Sequence, residues 1–197
     1  MIVACNTAST VLIGQDPSQF SVPVYNVIDP GAKRALSVSR NHRIGVIATN
    51  ATVAAGSYAK SLKALKSDAV VFQRASPLLV ALVEEGWDDD PITNLIIYRY
   101  VNPLLANDID TLILGCTHYP VLRGGISRVV GSFVTLVDSS DAIIDCLHAD
   151  IEADKFIPSR ARHVFRVLAT DISPVFATVA ARLMAPLTLP TIELVDL

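Results

Sequence analysis

The sequence predicts an α/β protein of mostly parallel sheet flanked by helices, and three observations carry that prediction. Short apolar runs alternate with segments of helical period along the whole chain, as successive strand–helix–strand units require. Turn and cap residues such as Asp29-Pro30, Ser76-Pro77 and Asp138-Ser139-Ser140 punctuate the changes of period. Two cysteine segments also read alike. Ile2-Val3-Ala4-Cys5-Asn6-Thr7-Ala8-Ser9 and Leu112-Ile113-Leu114-Gly115-Cys116-Thr117-His118-Tyr119-Pro120 each run from apolar residues to a small residue, a thiol, polar residues and a helix. That likeness fits two similar lobes facing each other.

The elements follow in order. Residues 1–5 are a β-type run that ends in Cys5, and a helix follows. Residues 22–28 are a second such run; Asp29-Pro30 then supplies an N-cap and a proline at the first helical position, for a helix to about Ser39. Residues 43–48 are a buried strand, and Thr49-Asn50-Ala51-Thr52 opens a helix to about Leu65. A strand over 68–73 precedes a helix from Ser76-Pro77 to Gly86, with Leu78, Leu79, Leu82 and Val83 on its apolar side. Asp88-Asp89-Asp90-Pro91 caps a helix over 92–105, with a kink expected at Asn102-Pro103. Residues 110–115 are a strand, 120–130 a helix and 133–137 a strand. Asp138-Ser139-Ser140 caps a helix to about Asp150, and 152–162 is a polar connector. A strand over 163–168, a helix over 174–184 and a strand over 191–195 complete the pattern.

Composition narrows the function. Half of the 197 residues are apolar (51%), only 18% are charged, and the formal net charge is −3. A substantial core is therefore within reach, and no basic cluster offers a nucleic acid or a membrane surface a partner. No apolar run reaches the ~18 residues of a membrane span. The start lacks the basic residues of a signal peptide. Three cysteines without a CxxC argue for free thiols in a reducing cytoplasm rather than disulfides or a zinc site.

In a parallel sheet, ligands bind beyond the carboxyl ends of the strands, where both Cys5 and Cys116 fall. The N–H groups and positive dipole of a following helix favour anions there and are expected to lower a thiol pKa. Two opposed thiols suit inversion at a carbon: one removes the Cα proton and the other delivers one from the opposite face. No pyridoxal phosphate lysine motif, glycine-rich fingerprint or metal-ligand spacing is present, so no cofactor and no metal is expected. Taken singly, each of these residues also has a plain structural explanation. A free cysteine is usually inert packing, as Cys146 in Ile143-Ile144-Asp145-Cys146-Leu147 is read. Thr7, Ser9, Thr52 and Thr117 suit helix caps, and Glu84-Glu85 suits a solvated helix end.

Together, the two cysteine motifs resemble the signatures of the cofactor-independent glutamate racemases, within the aspartate/glutamate racemase family, which make D-glutamate for peptidoglycan. Ile44-Gly45-Val46-Ile47-Ala48-Thr49-Asn50-Ala51-Thr52, the helix from Ser76 to Gly86 and Asp138-Ser139-Ser140 extend the resemblance over essentially the whole chain. It implies that Cys5 and Cys116 are the acid/base thiols. It also implies that His118 and one glutamate, Glu84 by its place after Leu82-Val83, assist Cys116. Asn6, Thr7, Thr117 and His118 would hold the amino acid, with Thr49 and Thr52 near its carboxylate. His118 separates the chain from related aspartate racemases, where a glutamate commonly follows the second Cys-Thr. The implied fold is two lobes, 1–31 plus 138–197 and 32–137, with the site in the cleft.

The chain departs from the family pattern in two ways. Ser76 stands where a non-catalytic cysteine is usual. Asp-Ser-Gly and Pro-Tyr-Gly segments that normally precede the first cysteine are absent, so the first lobe is expected to be incomplete, marginally folded and poorly active, through a late gene start or a truncation. The expected partner is a small-molecule substrate, glutamate, with no nucleic acid or membrane, and a homodimer is an assembly to test. Two alternatives stand beside this reading: a catalytically impaired fragment that only binds an anionic amino acid or a partner, and a racemase of other specificity, such as aspartate.

Overall fold

The computed structural model describes residues 1–155, 165–172 and 174–196. The chain opens with β1 (Ile2–Val3) and a single-turn helix α1 (Asn6–Ser9), followed by β2 (Tyr25–Asn26) parallel to β1 and by α2 (Ile28–Val38). Next come β3 (Arg43–Ala48), α3 (Asn50–Ala55), α4 (Ser57–Leu65) and β4 (Val70–Ala75). Helices α5 (Leu78–Glu84) and α6 (Pro91–Leu105) lead to β5 (Thr111–Gly115), α7 (Arg123–Val130), β6 (Thr135–Asp138) and α8 (Ser139–Glu152). Beyond them lie β7 (Val167–Ala169), α9 (Pro174–Met184) and β8 (Ile192–Leu194).

The central sheet is four-stranded and wholly parallel, in the order β4-β3-β5-β6. Its inner strands, Arg-Ile-Gly-Val-Ile-Ala and Thr-Leu-Ile-Leu-Gly, are continuous apolar runs because both faces are covered. Alternation divides their side chains between two cores. Ile44, Val46, Ala48 and Ile113 pack with Ile28, Ala32, Tyr58 and Leu62 on one face. Ile47, Leu112 and Leu114 pack with Leu79, Val83, Ile97 and Val101 on the other. Each fully buried Ile, Leu or Val among them is worth roughly 1.5–3 kcal/mol. Among the described residues, β1–β2 and β7–β8 are separate two-stranded parallel pairs, and Ile2, Leu168 and Leu194 in them are exposed. Amide hydrogen exchange should therefore show strong protection in β3 and β5 and weak protection in these two pairs. Equal protection throughout would contradict that ranking.

Asp110 anchors the start of β5. Its carboxylate accepts from Ser39 Oγ (2.6 Å), the N–H groups of Arg40 (2.6 Å) and Asn41 (2.8 Å), and Thr111 Oγ1 (2.9 Å). Burial pushes its pKa up, but the hydrogen bonds outweigh burial and hold it below its ordinary 3.8. A folded-state value below the unfolded one stabilises above the unfolded pKa, and that contribution is lost as pH falls through the folded value. Asp110→Asn should cost about 1–3 kcal/mol at neutral pH, with the difference from wild type shrinking in acid. A pH-independent difference would contradict this account.

The elements differ from the sequence expectations where local chemistry intervenes. Asp29-Pro30 does not cap α2, which has already begun at Ile28. Asn26 Oδ1 accepts from the N–H groups of Ile28 and Asp29, both at 2.9 Å. The helix expected from 49 to 65 is two helices, broken at Gly56 with φ +64°, a left-handed conformation that glycine adopts without strain. β4 begins two residues late, at Val70. The run over 22–28 pairs only at Tyr25–Asn26. Tyr119–Leu122 is 3₁₀ before α7 begins, and α6 continues through Pro103. Of the polar connector over 152–162 and the strand over 163–168, residues 156–164 lie outside the described residues.

Candidate active site

The site lies where a parallel sheet places one. Ala48 of β3 sits in register with Ala75 of β4 and Gly115 of β5. The carboxyl ends thus bring together Thr49 and Thr52, Ser76, Cys116-Thr117-His118, and Asp138-Ser139. Cys5 stands at the same kind of position, between β1 and α1, with extended backbone (φ −72°, ψ 122°) that turns the chain into the helix.

Cys116 is buried and Cys5 is exposed. Cys116 Sγ lies 3.8 Å from His118 Nδ1, and His118 Nε2 lies 3.2 Å from Glu84 Oε1 at the end of α5. The three groups form a thiol–imidazole–carboxylate chain that runs from the interior to solvent, and Glu84 is the member of the Glu84-Glu85 pair in contact. The turn is held from behind: buried Tyr119 donates its hydroxyl to the carbonyl of Ser76 at 2.8 Å. The expectation that a helix terminus lowers the thiol pKa is reversed at Cys116. Burial raises it, the N–H of His118 offsets part of that, and the nearby Cys5 charge raises it again. Cys116 is therefore within electrostatic reach of Cys5.

Three threonine hydroxyls join α1 to the end of β3. Thr7 Oγ1 lies 2.8 Å from Thr49 Oγ1 and 3.0 Å from Thr52 Oγ1, and Thr49 Oγ1 accepts from the Thr52 N–H at 3.2 Å. Thr52 is fully buried, while Thr7 and Thr49 are half-buried and Thr117 is exposed. Asn6 is buried, with its side chain directed inward. It accepts from Tyr58 Oη at 2.6 Å and donates to Ser139 Oγ at 3.4 Å. Those bonds occupy the amide that the resemblance gives to substrate.

A cavity of about 610 Å³ adjoins the chain, with Glu84, Thr117 and His118 on one side and Phe176, Val179 and Leu183 of α9 on the other. Glu85 and Asp171 also line it, so three carboxylates face the cavity and Thr117 and His118 are its polar groups able to donate to an anion. A larger cavity of about 800 Å³ lies between α2, α4 and α8, near Cys146. It contains none of the candidate side chains, and chemistry rather than size marks the site. Sequence reasoning missed Tyr58, Tyr119 and the α9 wall. The two tyrosines carry no local signature, and the wall is set only by tertiary packing. Among the described residues, no cluster of three or more His, Cys, Asp or Glu could hold a metal ion, and no helix is long and apolar enough to cross a membrane.

With this geometry in hand, comparison with known proteins is specific. The profile of the Asp/Glu/Hydantoin racemase family matches residues 1–147. The chain is similar to the glutamate racemase of Syntrophus aciditrophicus (strain SB), 39% identical over 198 residues, which covers 100% of this chain and 73% of that protein. A crystal structure of a glutamate racemase isoform from Bacillus anthracis superposes with a TM-score of 0.90 at 32% identity, covering 100% of this chain and 73% of that one. The glutamate racemase of Francisella tularensis subsp. tularensis SCHU S4, solved in complex with D-glutamate, gives 0.86 at 28% identity over 99% of this chain and 72% of its own.

Proposed function

The chain belongs to the Asp/Glu/Hydantoin racemase family and is an amino-acid racemase by that membership, and we propose that it interconverts L- and D-glutamate with Cys5 and Cys116 as the two bases. The observation that carries the proposal is the Cys116–His118–Glu84 chain beside a second thiol. In this reading residues 1–31 with 138–197 form one lobe and 32–137 the other, with glutamate between them. Thr7, Thr49 and Thr117 hydroxyls hold the α-carboxylate, Thr52 braces Thr7 and Thr49, and His118 lies alongside.

The proton count closes. One cysteine, as thiolate, takes the Cα proton and becomes a thiol. The other, as thiol, gives its proton to the opposite face and becomes a thiolate. The enzyme ends with the two protonation states exchanged, ready for the reverse reaction. The electron pair left at Cα delocalises into the carboxylate, where hydrogen bonds in a water-poor site stabilise it. Burial keeps Cys116 protonated at rest, so His118, oriented by Glu84, accepts and returns its proton at Nδ1. No step needs a cofactor or metal. The D-glutamate formed would supply peptidoglycan synthesis in the cytoplasm.

A full-length version of the protein should convert either enantiomer to the racemate without pyridoxal phosphate, metal or nucleotide, as followed by circular dichroism. Activity abolished by a chelator and restored by metal would contradict the proposal. Glutamate should also be preferred to aspartate. The shorter acid can seat its carboxylates but leaves Cα off the line between the thiols, and a ~1 Å misplacement costs on the order of 10² in rate. Equal kcat/KM for the two acids would refute this.

A further inference from the structure

We propose that Tyr58 is a positioning residue that fixes the two thiol-bearing turns relative to each other. The inference rests on the two-thiol reading above. Tyr58 lies on α4, remote in sequence from both cysteines, and is fully buried. Its hydroxyl donates to Asn6 Oδ1 at 2.6 Å, and Asn6 directly follows Cys5. Its ring packs against Gly115, which directly precedes Cys116. A Cβ on Gly115 would stand 3.0 Å from Tyr58 Cε2 and 2.9 Å from the Ile47 carbonyl oxygen. On the other side the ring meets Gly31 of α2, where an added Cβ would lie 3.4 Å from both Cε1 and Oη.

One rigid side chain thus touches the residue after the first thiol and the residue before the second. Glycine on both flanks lets the ring sit against backbone, so nothing flexible intervenes between α2, the end of β5 and the hydroxyl. The hydroxyl has one placement, and Asn6, gripped also by Ser139 at 3.4 Å, carries that placement to α1 and Cys5. A reaction that hands a proton across a carbon needs both thiols at fixed reach on opposite faces, and displacements of about 1 Å are costly on the order of 10² in rate. Tyr58 takes no part in proton transfer in this account. Burial pushes its own pKa up, reinforced by the Asp138 charge, and keeps the hydroxyl protonated.

The test compares two variants in the full chain. Tyr58→Phe removes only the hydroxyl. Ser61→Ala, on the same helix, removes a part-buried hydrogen bond to Asp29 Oδ1 (2.6 Å) that reaches neither thiol turn. The two should lose similar Tm. Tyr58→Phe should lower kcat by about ten-fold or more with KM within about two-fold, while Ser61→Ala keeps both near wild type. Equal kcat in the two variants would overturn the proposal.

A second readout needs no turnover. With ¹³Cβ-labelled cysteine, NMR titration follows Cys116, and Cys5→Ser should lower its midpoint by removing a neighbouring charge. In the Tyr58→Phe background this coupling should shrink as the turns separate. Unchanged coupling would overturn the positioning role, whereas a wild-type chain that never racemises would fail only the functional reading. If Tyr58→Phe does not fold, Asn6→Ser releases the same hydroxyl with the ring in place and is read by the thiol coupling alone, where unchanged coupling again overturns the positioning role.

Discussion

Cys5→Ser and Cys116→Ser each lower racemisation by roughly 10²–10⁴-fold or more, the usual worth of a general acid or base, while Cys146→Ser stays within a few-fold. Each of the first two removes one of two obligatory groups, and a serine hydroxyl cannot ionise in their place near neutral pH. Cys146 is half-buried on α8 beside the larger cavity, away from the threonines and from His118. Chiral chromatography of the product from each enantiomer measures the loss. Equal sensitivity at all three cysteines would remove the basis for assigning the bases.

His118→Asn lowers kcat/KM by about 10²-fold, and by the same factor in both directions. The enantiomers are equally stable, so their kcat/KM values are bound to be equal whatever the variant. Direction shows instead in the isotope effects. When proton transfer at Cys116 becomes the slow step, deuterium at Cα slows only the enantiomer whose proton Cys116 removes. From the other enantiomer Cys116 delivers a solvent-derived proton, and a solvent isotope effect appears instead. Glu84→Gln produces a milder version, because it disturbs the orientation of the imidazole through a 3.2 Å contact at an exposed carboxylate, and exposed pairs are worth only ~0–1 kcal/mol. Substrate isotope effects of equal size from both enantiomers would show that His118 does not serve Cys116 in particular.

How much of this was legible in the sequence depended on how local the cause was. The strand 43–48 and the helix 174–184 match their observed limits, because a continuous apolar run and an uninterrupted helical period depend on neighbours alone. The break at Gly56 was missed because helical period persists on both sides, and only the left-handed backbone separates α3 from α4. The start of α2 was misplaced because Asp29-Pro30 is a good cap signal, yet Asn26 reaches the free N–H groups first.

The candidate side chains were identifiable as types, in that thiols, hydroxyls and a histidine at strand ends suggest acid/base work. Their states were not. Whether Cys116 is raised or lowered turns on burial by Tyr119, Leu122 and their neighbours, which a sequence pattern does not display. The inward turn of Asn6 has the same origin: its partners Tyr58 and Ser139 lie 52 and 133 residues away along the chain.

The central claim, that two thiols act on opposite faces of one carbon, is tested most directly by racemisation in deuterium oxide. L-Glutamate is incubated to a few per cent conversion, the enantiomers are separated, and deuterium at Cα is read in each by mass spectrometry. Two bases predict that D-glutamate carries one solvent deuterium while recovered L-glutamate remains protiated, because the group that removes the proton is not the group that delivers one. The reverse experiment from D-glutamate should mirror it. Recovered substrate that gains deuterium as fast as product, or product that retains the original proton, would mean a single base working both faces and would contradict the account.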